Sequence, residues 1–274
     1  MSTWVHNFGK FRMVLDKDDI DISKQVKEFG WYQDEKFESQ IFSEQLKIGM
    51  TVLDLGANIG FYTMLARSVV GQEGRVFAFE PFPDNADLVR ASVKENSFTN
   101  VIVVEAAVSD KVGKTTLYLS PDACSEHSLL NLNFQHSLDS TVNKIEVQVV
   151  TVDGYLERNV GNLKVDFIKM DIEGSESRAI NGMKKVLDSN KHVVLMTEFW
   201  PNGFKEDEKN PRDFIETLYQ LNFKIHNIDN LAQKVEAVTV DEMMQIADFG
   251  SKNIPKQNKV MQTWGWYTNL LCIR

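Results

Sequence analysis

The stretch VLDLGANIGFYT, Val52–Thr63, determines how the rest of the chain is interpreted. It begins as a short buried strand, and the apolar spacing of the following FYTMLARSVVG is helical. Gly56 and Gly60 lie between the two elements, where a sharp turn and a close approach favour residues without a side chain. Asp54 precedes the turn, at the strand end where open α/β sheets bind ligands. The stretch therefore predicts the first strand–turn–helix unit of a ligand-binding α/β sheet.

The same alternation of strand and helix continues along the chain. Buried strands are predicted at RVFAFEP, NVIVVEAAV, VDFIKMD and HVVLMTEF, with helices between them, including one long helix at SRAINGMKKVLDS. This alternation predicts a doubly wound α/β fold with a parallel sheet and helices on both faces. KTTLYLS and KIEVQVVTV have the alternating pattern of an inserted or edge hairpin, and FKIHNI and WYTNLLCIR supply the last two strands.

The first 49 residues have a different pattern. FRMVLDKDDIDI predicts two short strands around a turn at Asp16–Asp19, and EKFESQIFSEQLKIG has helical spacing up to Gly49. We expect residues 1–49 to form a hairpin and helix extension packed on the core, and residues 50–274 to form the main domain. The weakly periodic residues 238–258 are either a lid or a poorly ordered connection.

Composition excludes some classes of protein. The 274 residues are 43% hydrophobic, enough for a sizeable core, and the formal net charge is −9, which disfavours a nucleic-acid binder. Cys124 and Cys272 have neither metal-site spacing nor the pattern of a disulfide framework. Because the N-terminus lacks a signal-peptide core and no apolar run could span a membrane, we expect a cytoplasmic protein. Oligomeric state has no signature in the sequence.

The glycine turn and the next two strand ends suggest a nucleoside ligand with a charged tail. The spacing G-x-N-x-G, which includes Asn58, is shorter than the G-x-G-x-x-G turn that binds a pyrophosphate. Glu80 ends the next strand, where an acid can bind both hydroxyls of a ribose. Phe82 can lie against an adenine, and Ala106 is small enough to leave room for one. These features predict binding of S-adenosylmethionine.

Acidic residues cluster at the end of the strand in VDFIKMDIEGSE, Val165–Glu176. Asp171 is expected to project into the cleft beside the cofactor, with Glu173 nearby and Glu198 at the end of the neighbouring strand. Three converging carboxylates repel unless a proton, a substrate hydroxyl or a cation such as Mg²⁺ lies between them. Asp171 is then a general base, a partner for the methionine amine, or a metal ligand. Glu176 is expected to favour the positive end of its helix.

The chain also resembles a known family. VLDLGANIGFYT, FAFEPFPDN, AAVSD and VDFIKMDIEGSE, in this order, resemble the FkbM-type S-adenosylmethionine-dependent methyltransferases. The resemblance implies a class I methyltransferase fold, a Rossmann-like seven-stranded sheet with its last strand antiparallel. It also implies O-methylation of a hydroxyl on a sugar, a glycan or another natural-product intermediate. His127-Ser128-Leu129 is similar to a Ser-Leu element of the family, although a histidine there is not expected.

The resemblance places Asp54, Gly56, Asn58 and Gly60 at the cofactor's amino-acid end, Glu80 at its ribose, and Asp171 and Glu173 in the active-site motif. Together with the strand-end residues, the expected cofactor residues are Asp54, Gly56, Asn58, Gly60, Glu80, Phe82, Ala106 and Asp171, and the expected catalytic residues are Asp171, Glu173 and Glu198. Trp200, Pro201 and Phe204 follow Glu198 and either stack on a sugar or pack the core. Two other functions stay open: a non-catalytic S-adenosylmethionine-binding partner of another enzyme, and a nicotinamide-dependent reductase, which the short glycine turn disfavours.

Overall fold

A computed structural model of the chain describes residues 2–19, 22–32, 35–120, 127–130, 143–254, 261 and 265–274. The strands of its main sheet are, in chain order, β3 (Thr51–Leu55), β4 (Arg75–Phe79), β5 (Val101–Val104), β9 (Phe167–Met170), β10 (Val194–Phe199), β11 (Lys224–Asp229), β12 (Lys234–Ala237) and β13 (Thr268–Ile273). Five of these strands are parallel neighbours, in the order β5-β4-β3-β9-β10, and β13, β11 and β12 follow in that order.

The direction of β13 agrees with the sequence-based expectation. The strand is antiparallel to both β10 and β11. Seven strands have the predicted class I order, and β12 adds an eighth, antiparallel to β11 at the edge. Because β13 runs against its neighbours, its first residues lie at the same edge of the sheet as the carboxyl ends of the parallel strands.

Helices cover both faces of the sheet, as a doubly wound fold requires. They are α1 (Ile22–Phe29), α2 (Lys36–Gln45), α3 (Phe61–Val70), α4 (Pro83–Glu95), α5 (Val152–Asn159), α6 (Glu176–Asn181), α7 (Lys184–Ser189), α8 (Pro201–Glu206), α9 (Pro211–Gln220) and α10 (Val240–Lys252). Two large apolar clusters fill the space between these helices and the sheet.

Two smaller sheets complete the described structure. The inserted segment forms β6 (Ala107–Val108), β7 (Gly113–Tyr118) and β8 (Lys144–Val150), in the order β6-β8-β7. The predicted hairpin between KTTLYLS and KIEVQVVTV is present as the antiparallel pair β7–β8. Near the N-terminus, β1 (Thr3–Asn7) pairs with β2 (Arg12–Asp16).

The expected hairpin at residues 11–22 was wrong in its second strand. The partner of β2 is the preceding segment β1, and the turn between them contains Gly9 at φ +84°. From Ile22 the chain instead forms α1, and the Asp19 side chain accepts a hydrogen bond from the Ser23 N–H at 2.7 Å. This bond satisfies one of the N–H groups in the first turn, which have no partner inside the helix.

Two further expectations were wrong in detail. The helix predicted at SRAINGMKKVLDS is divided into α6 and α7, because Met183 leaves the helical region at φ −127° and the Asp153 carboxylate accepts the Lys185 and Val186 N–H groups at the start of α7. Of residues 238–258, expected to form a lid or a poorly ordered connection, residues 240–252 form the helix α10, and residues 255–258 lie outside the described residues. The start of α10 is a capping box between Thr239 and Glu242, a pattern that the sequence contained.

The N-terminal segment packs on the rest of the sheet domain. Phe11, Met13, Leu15 and Phe42 share one apolar cluster with Phe61 and Phe167. The backbone of β2 is also hydrogen-bonded to α4 and its C-cap residue. Val14 N–H donates to Ser92 Oγ, and Arg12 N–H donates to Asn96 Oδ1. Among the described helices, none has the length and apolar character needed to cross a membrane.

Candidate functional site

One cleft brings most of the predicted site residues together. It opens at the edge where β3, β4, β9 and β10 end, the usual ligand edge of an open α/β sheet. Of the predicted residues, those that line it are Asp54, Gly56, Asn58, Glu80, Ala106, Asp171, Glu173 and Glu198. The convergence that the sequence predicted for these eight positions is therefore present.

Gly60 and Phe82 are not among the residues that line the cleft. A Cβ on Gly60 would face Val89 of α4, 3.1 Å from its nearest methyl group, so this glycine permits packing between two helices. Phe82 packs in the apolar cluster of the small sheet and meets the His127 ring edge-on, with 4.7 Å between ring centroids. Its backbone N–H, however, donates to Glu80 Oε1.

The glycine turn lies against the acidic turn that follows β9. Gly56 has φ +84°, and a Cβ there would lie 1.8 Å from the Asp171 carbonyl oxygen. The neighbouring Leu55 carbonyl accepts the Asp171 N–H at 3.0 Å. The two most distinctive motifs of the sequence thus meet backbone to backbone, and no side chain fits between them.

Glu80 is held in one orientation at the end of β4. Its two carboxylate oxygens accept the backbone N–H groups of Asn58 and Phe82, both at 2.8 Å. Burial raises the pKa of Glu80 to about 7, although the two N–H donors act in the opposite direction. The carboxyl group lines the cleft as a preoriented hydrogen-bonding group.

Asp54 lies deeper than the sequence suggested. It belongs to β3, is 2% exposed, and accepts a hydrogen bond from Thr63 Oγ1 at 2.5 Å. Burial raises the pKa of Asp54 to about 6. Asp54 therefore contributes a buried acid under the glycine turn as well as part of the cleft lining.

The three acids at the ends of β9 and β10 converge as predicted. Carboxylate oxygens of Asp171, Glu173 and Glu198 lie within 4.8 Å of one another. Burial, together with the charges of Asp171 and Glu173, raises the pKa of Glu198 well above its usual value. A proton on Glu198 therefore relieves part of the repulsion between the three groups.

Side-chain hydrogen bonds to the backbone hold the turn that presents Glu173. Glu173 has φ +52°, an uncommon conformation for a residue with a side chain, and Gly174 follows at φ +90°. Glu176 Oε1 accepts the Ile172 N–H at 3.1 Å, and Ser128 Oγ donates to the Glu173 carbonyl at 2.8 Å. Glu176 is fully buried, and burial raises its pKa to about 7. Its described contacts are with this turn, so it supports the site.

Sequence reasoning missed a buried ionic network beside Asp171. Lys169 is 1% exposed in the middle of β9, and its ammonium lies 3.0 Å from Asp171 Oδ2 and 3.5 Å from Glu38 Oε1. Tyr62 Oη donates to Glu38 Oε1 at 3.1 Å. A lysine inside the apolar run FIKM was the available signal, because a fully buried lysine needs carboxylate partners. Glu38, on the amphipathic helix α2, had no such signal.

Lys169→Met is expected to lower the free energy of unfolding by roughly 3 kcal/mol, because buried carboxyl groups lose their counter-charge. Without the ammonium, the pKa of Glu38, already raised by burial, rises further. A group with a raised pKa in the folded state stabilises at low pH and loses that contribution as pH rises, so the deficit should be larger at about pH 9 than at about pH 6. Urea unfolding of both proteins measures it.

The matched control is Lys164→Met, whose side chain is 80% exposed and paired with Asp166. That variant should change the free energy of unfolding by about 1 kcal/mol or less. Equal losses in the two variants would contradict the role of Lys169. A Lys169→Met/Glu38→Gln double variant should recover part of the stability, because the neutral amide needs no counter-charge.

The side of the cleft near β5 is apolar. Ala106, Ala107, Leu117 and Leu129 line it together with His127. His127 Nδ1 accepts the Ser120 N–H at 3.1 Å, so the neutral ring carries its proton on Nε2. Burial lowers the pKa of His127 to about 4, which keeps the ring neutral near pH 7.

The aromatic residues after β10 separate into two roles. Trp200 lines the cleft, although it is only 4% exposed. Pro201 begins α8, and Phe204 is fully buried in the main apolar cluster. Stacking on a ligand is therefore open to Trp200, whereas Phe204 packs the core.

A comparison with protein-family models agrees with this geometry. The Methyltransferase FkbM domain matches residues 54–227, from the glycine turn to β11. This match covers more than half of the chain. The chain belongs to the FkbM methyltransferase family. The matched range includes the four motifs from Asp54 to Glu176 that carry the resemblance.

Curated relatives are similar over about half of the chain. Hexuronic acid methyltransferase AglP of Haloferax volcanii is 27% identical over 143 residues, which cover 52% of this chain and 53% of AglP. The 31-O-demethyl-FK506 methyltransferase FkbM of Streptomyces tacrolimicus is 30% identical over 165 residues, covering 51% of this chain and 62% of that protein. The chain thus matches roughly half to three-fifths of the length of these two relatives.

Solved structures are similar at low sequence identity. A SAM-dependent methyltransferase from Aquifex aeolicus has a TM-score of 0.45 and 15% identity, covering 91% of this chain and 97% of that chain. A SAM-dependent O-methyltransferase from Thermotoga maritima has a TM-score of 0.45 and 11% identity, covering 96% and 73%.

Proposed function

We propose that the protein is an S-adenosylmethionine-dependent O-methyltransferase acting on a hydroxyl of a sugar, a glycan or a natural-product intermediate. The observation that carries the proposal is the convergence of Asp171, Glu173 and Glu198 in the cleft that Gly56 and Glu80 also line. The family match and the names of the two relatives, a hexuronic acid methyltransferase and a 31-O-demethyl-FK506 methyltransferase, support methyl transfer.

The described residues fit the cofactor. Glu80 offers a fixed carboxyl group for the ribose hydroxyls, and the turn at Gly56 and Asn58 leaves backbone accessible beside it. Ala106 and Ala107 form part of the apolar side, which suits an adenine. When bound, S-adenosylmethionine supplies an electrophilic methyl group on its sulfonium.

Asp171 is the proposed general base. Its side chain is 27% exposed and paired with the Lys169 ammonium, so it faces the cleft beside a counter-charge and can accept the proton of an acceptor hydroxyl. Lys169 acts through Asp171 as a positioning residue. Because burial and the neighbouring acids raise the pKa of Glu198, which favours its protonated form, Glu198 is assigned as a hydrogen-bond donor to the acceptor rather than as the base. Glu173 is assigned to orientation of the acceptor.

Mg²⁺ on the three acids is the alternative to a proton on Glu198. We expect no metal requirement, because a proton on Glu198, which its raised pKa favours, already lowers the electrostatic repulsion among the three acids. Treatment with EDTA should leave the rate of methyl transfer within about twofold of the untreated rate. A rate that EDTA abolishes and added Mg²⁺ restores would contradict this expectation and place the cation on these oxygen ligands.

Affinity for the cofactor should depend on the protonation of Glu80. Its pKa of about 7 means that the carboxylate is present above neutral pH and is lost below it. The dissociation constant for S-adenosylhomocysteine should therefore rise as pH falls below that value, by up to about tenfold per unit. Calorimetry across the range measures it, and Glu80→Gln should flatten the profile. An unchanged slope in Glu80→Gln would assign the titration to another group.

A methyl-transfer assay tests the proposed function. Purified protein is incubated with radiolabelled S-adenosylmethionine and a panel of neutral sugars, amino sugars and uronic acids, with Asp171→Asn as the catalytic control. Label on a hydroxyl that Asp171→Asn does not transfer supports the proposal. Tight cofactor binding without transfer to any member of the panel would instead favour a non-catalytic binding partner of another enzyme.

A further inference from the structure

Four polar side chains line the cleft beyond the three acids at its centre. Glu35 directly precedes α2, Glu38 lies in the first turn of that helix, Asn230 follows β11, and Asn269 is the second residue of β13. We name this group the polar wall. The sheet order places β13 and β11 beyond β10, so the Asn230 and Asn269 end lies on the side of Asp171 away from Glu80.

The polar wall has more acceptors than donors. Glu38 Oε2 accepts a hydrogen bond from the Asn269 side-chain amide at 2.5 Å, and Asn269 Oδ1 has no partner among the described residues. Asn230 Oδ1 and Glu35 Oε2 are likewise buried and have no hydrogen-bond partner in the part of the chain that the structure describes. Asn269 is only 5% exposed. Buried acceptors without donors are costly, so three in one wall indicate a ligand that donates hydrogen bonds.

The charge of the polar wall determines which kind of hydrogen-bond donor a ligand should carry. Glu35 and Glu38 are both acidic, and the buried cation Lys169 is already placed between Glu38 and Asp171. Burial and the charge of Glu38 raise the pKa of Glu35 to about 8, and a bound cation would take the place of the proton that this raised pKa favours. A carboxylate or phosphate would meet acceptor atoms and acidic groups there. A hydroxyl donates one hydrogen bond and also needs a donor for its own oxygen. A protonated amine has three donors, no acceptor and a positive charge, and so matches the wall in number and sign.

We propose that the polar wall binds a protonated amine of the methyl acceptor, an inference that rests on the proposed function for its ligands. The acceptor would then be an amino sugar or an aminated metabolite. The amino-acid end of S-adenosylmethionine matches the wall less well, because it carries a carboxylate beside its amine. A uronic acid acceptor is disfavoured for the same reason, unlike the hexuronic acid named for the Haloferax volcanii relative.

The experiment compares an amino sugar with the sugar that carries a hydroxyl in place of the amine. Calorimetry measures glucosamine against glucose in the presence of S-adenosylhomocysteine. It also measures S-adenosylhomocysteine against 5′-methylthioadenosine, which lacks both the amine and the carboxylate of the amino-acid end. The variants are Glu35→Gln and Asn230→Ala. The matched control is Glu28→Gln, an exposed acid on α1. Thermal melting verifies that each variant is folded.

Each variant of the wall should weaken binding of glucosamine by about tenfold and binding of glucose by less than about twofold. A loss confined to S-adenosylhomocysteine would overturn the proposal and assign the wall to the cofactor. Equal effects on glucosamine and glucose, or no effect on either, would also overturn it. Failure of the wild type to bind either adenosyl ligand would instead contradict the proposed function.

Discussion

Gly56→Ala is expected to lower the free energy of unfolding by roughly 3 to 5 kcal/mol and to abolish cofactor binding. Two costs add at this position. The backbone has φ +84°, which an L-residue with a side chain adopts only with strain. The added Cβ would also lie 1.8 Å from the Asp171 carbonyl oxygen, so the glycine turn and the acidic turn would have to separate. Urea unfolding and calorimetry measure the two effects.

Gly49→Ala separates the conformational cost from the steric one. Gly49 also has φ +84°, but a Cβ there would have no atom within 4 Å. This variant should lose only about 1 kcal/mol and bind S-adenosylhomocysteine like the wild type. Comparable losses of stability at the two positions would show that the contact between the turns is not what requires glycine at position 56.

Asp171→Asn is expected to lower kcat by about 10²- to 10⁴-fold, because the amide cannot take up the proton of the acceptor hydroxyl. The affinity for S-adenosylhomocysteine should stay within about twofold, since the amide keeps nearly the same shape beside Gly56. The assay uses whichever sugar of the panel is methylated. Asp87→Asn, an exposed acid on α4, is the control for a change of charge.

The outcome distinguishes a base from a binding residue. A loss of affinity with unchanged kcat would assign Asp171 to the cofactor, one of the alternatives that the sequence left open. An unchanged kcat and unchanged affinity would remove Asp171 from the site and leave Glu173 as the candidate base. Only a loss of kcat at nearly constant affinity agrees with the proposed mechanism.

The parallel core of the fold followed from the sequence because its signals are local. Each strand of the sheet from β3 to β10 is a short apolar run, and each carboxyl end carries a residue such as Glu80 or Asp171. Since parallel strands end at one edge, their terminal side chains had to converge. The contact between Gly56 and Asp171 likewise follows from neighbouring strands that both end in tight turns.

The parts that sequence reasoning missed depend on long-range contacts. Glu38 is separated by more than a hundred residues from Lys169, and only the packed structure brings them together. The start of α7 after the break depends on hydrogen bonds to the Asp153 side chain of α5, which no local propensity indicates. Gly60 had a clear local signature, but a glycine fits equally well against a ligand and against Val89.

The most direct test of the central claim is a calorimetric titration of the wild-type protein, Glu80→Ala and Glu105→Ala with S-adenosylhomocysteine. Glu105 is an exposed acid at the end of the neighbouring strand and serves as the matched control. We expect a dissociation constant on the order of micromolar for the wild type and for Glu105→Ala, and an affinity at least about tenfold lower for Glu80→Ala. Absence of binding by the wild type, or equal binding by Glu80→Ala, would contradict the claim.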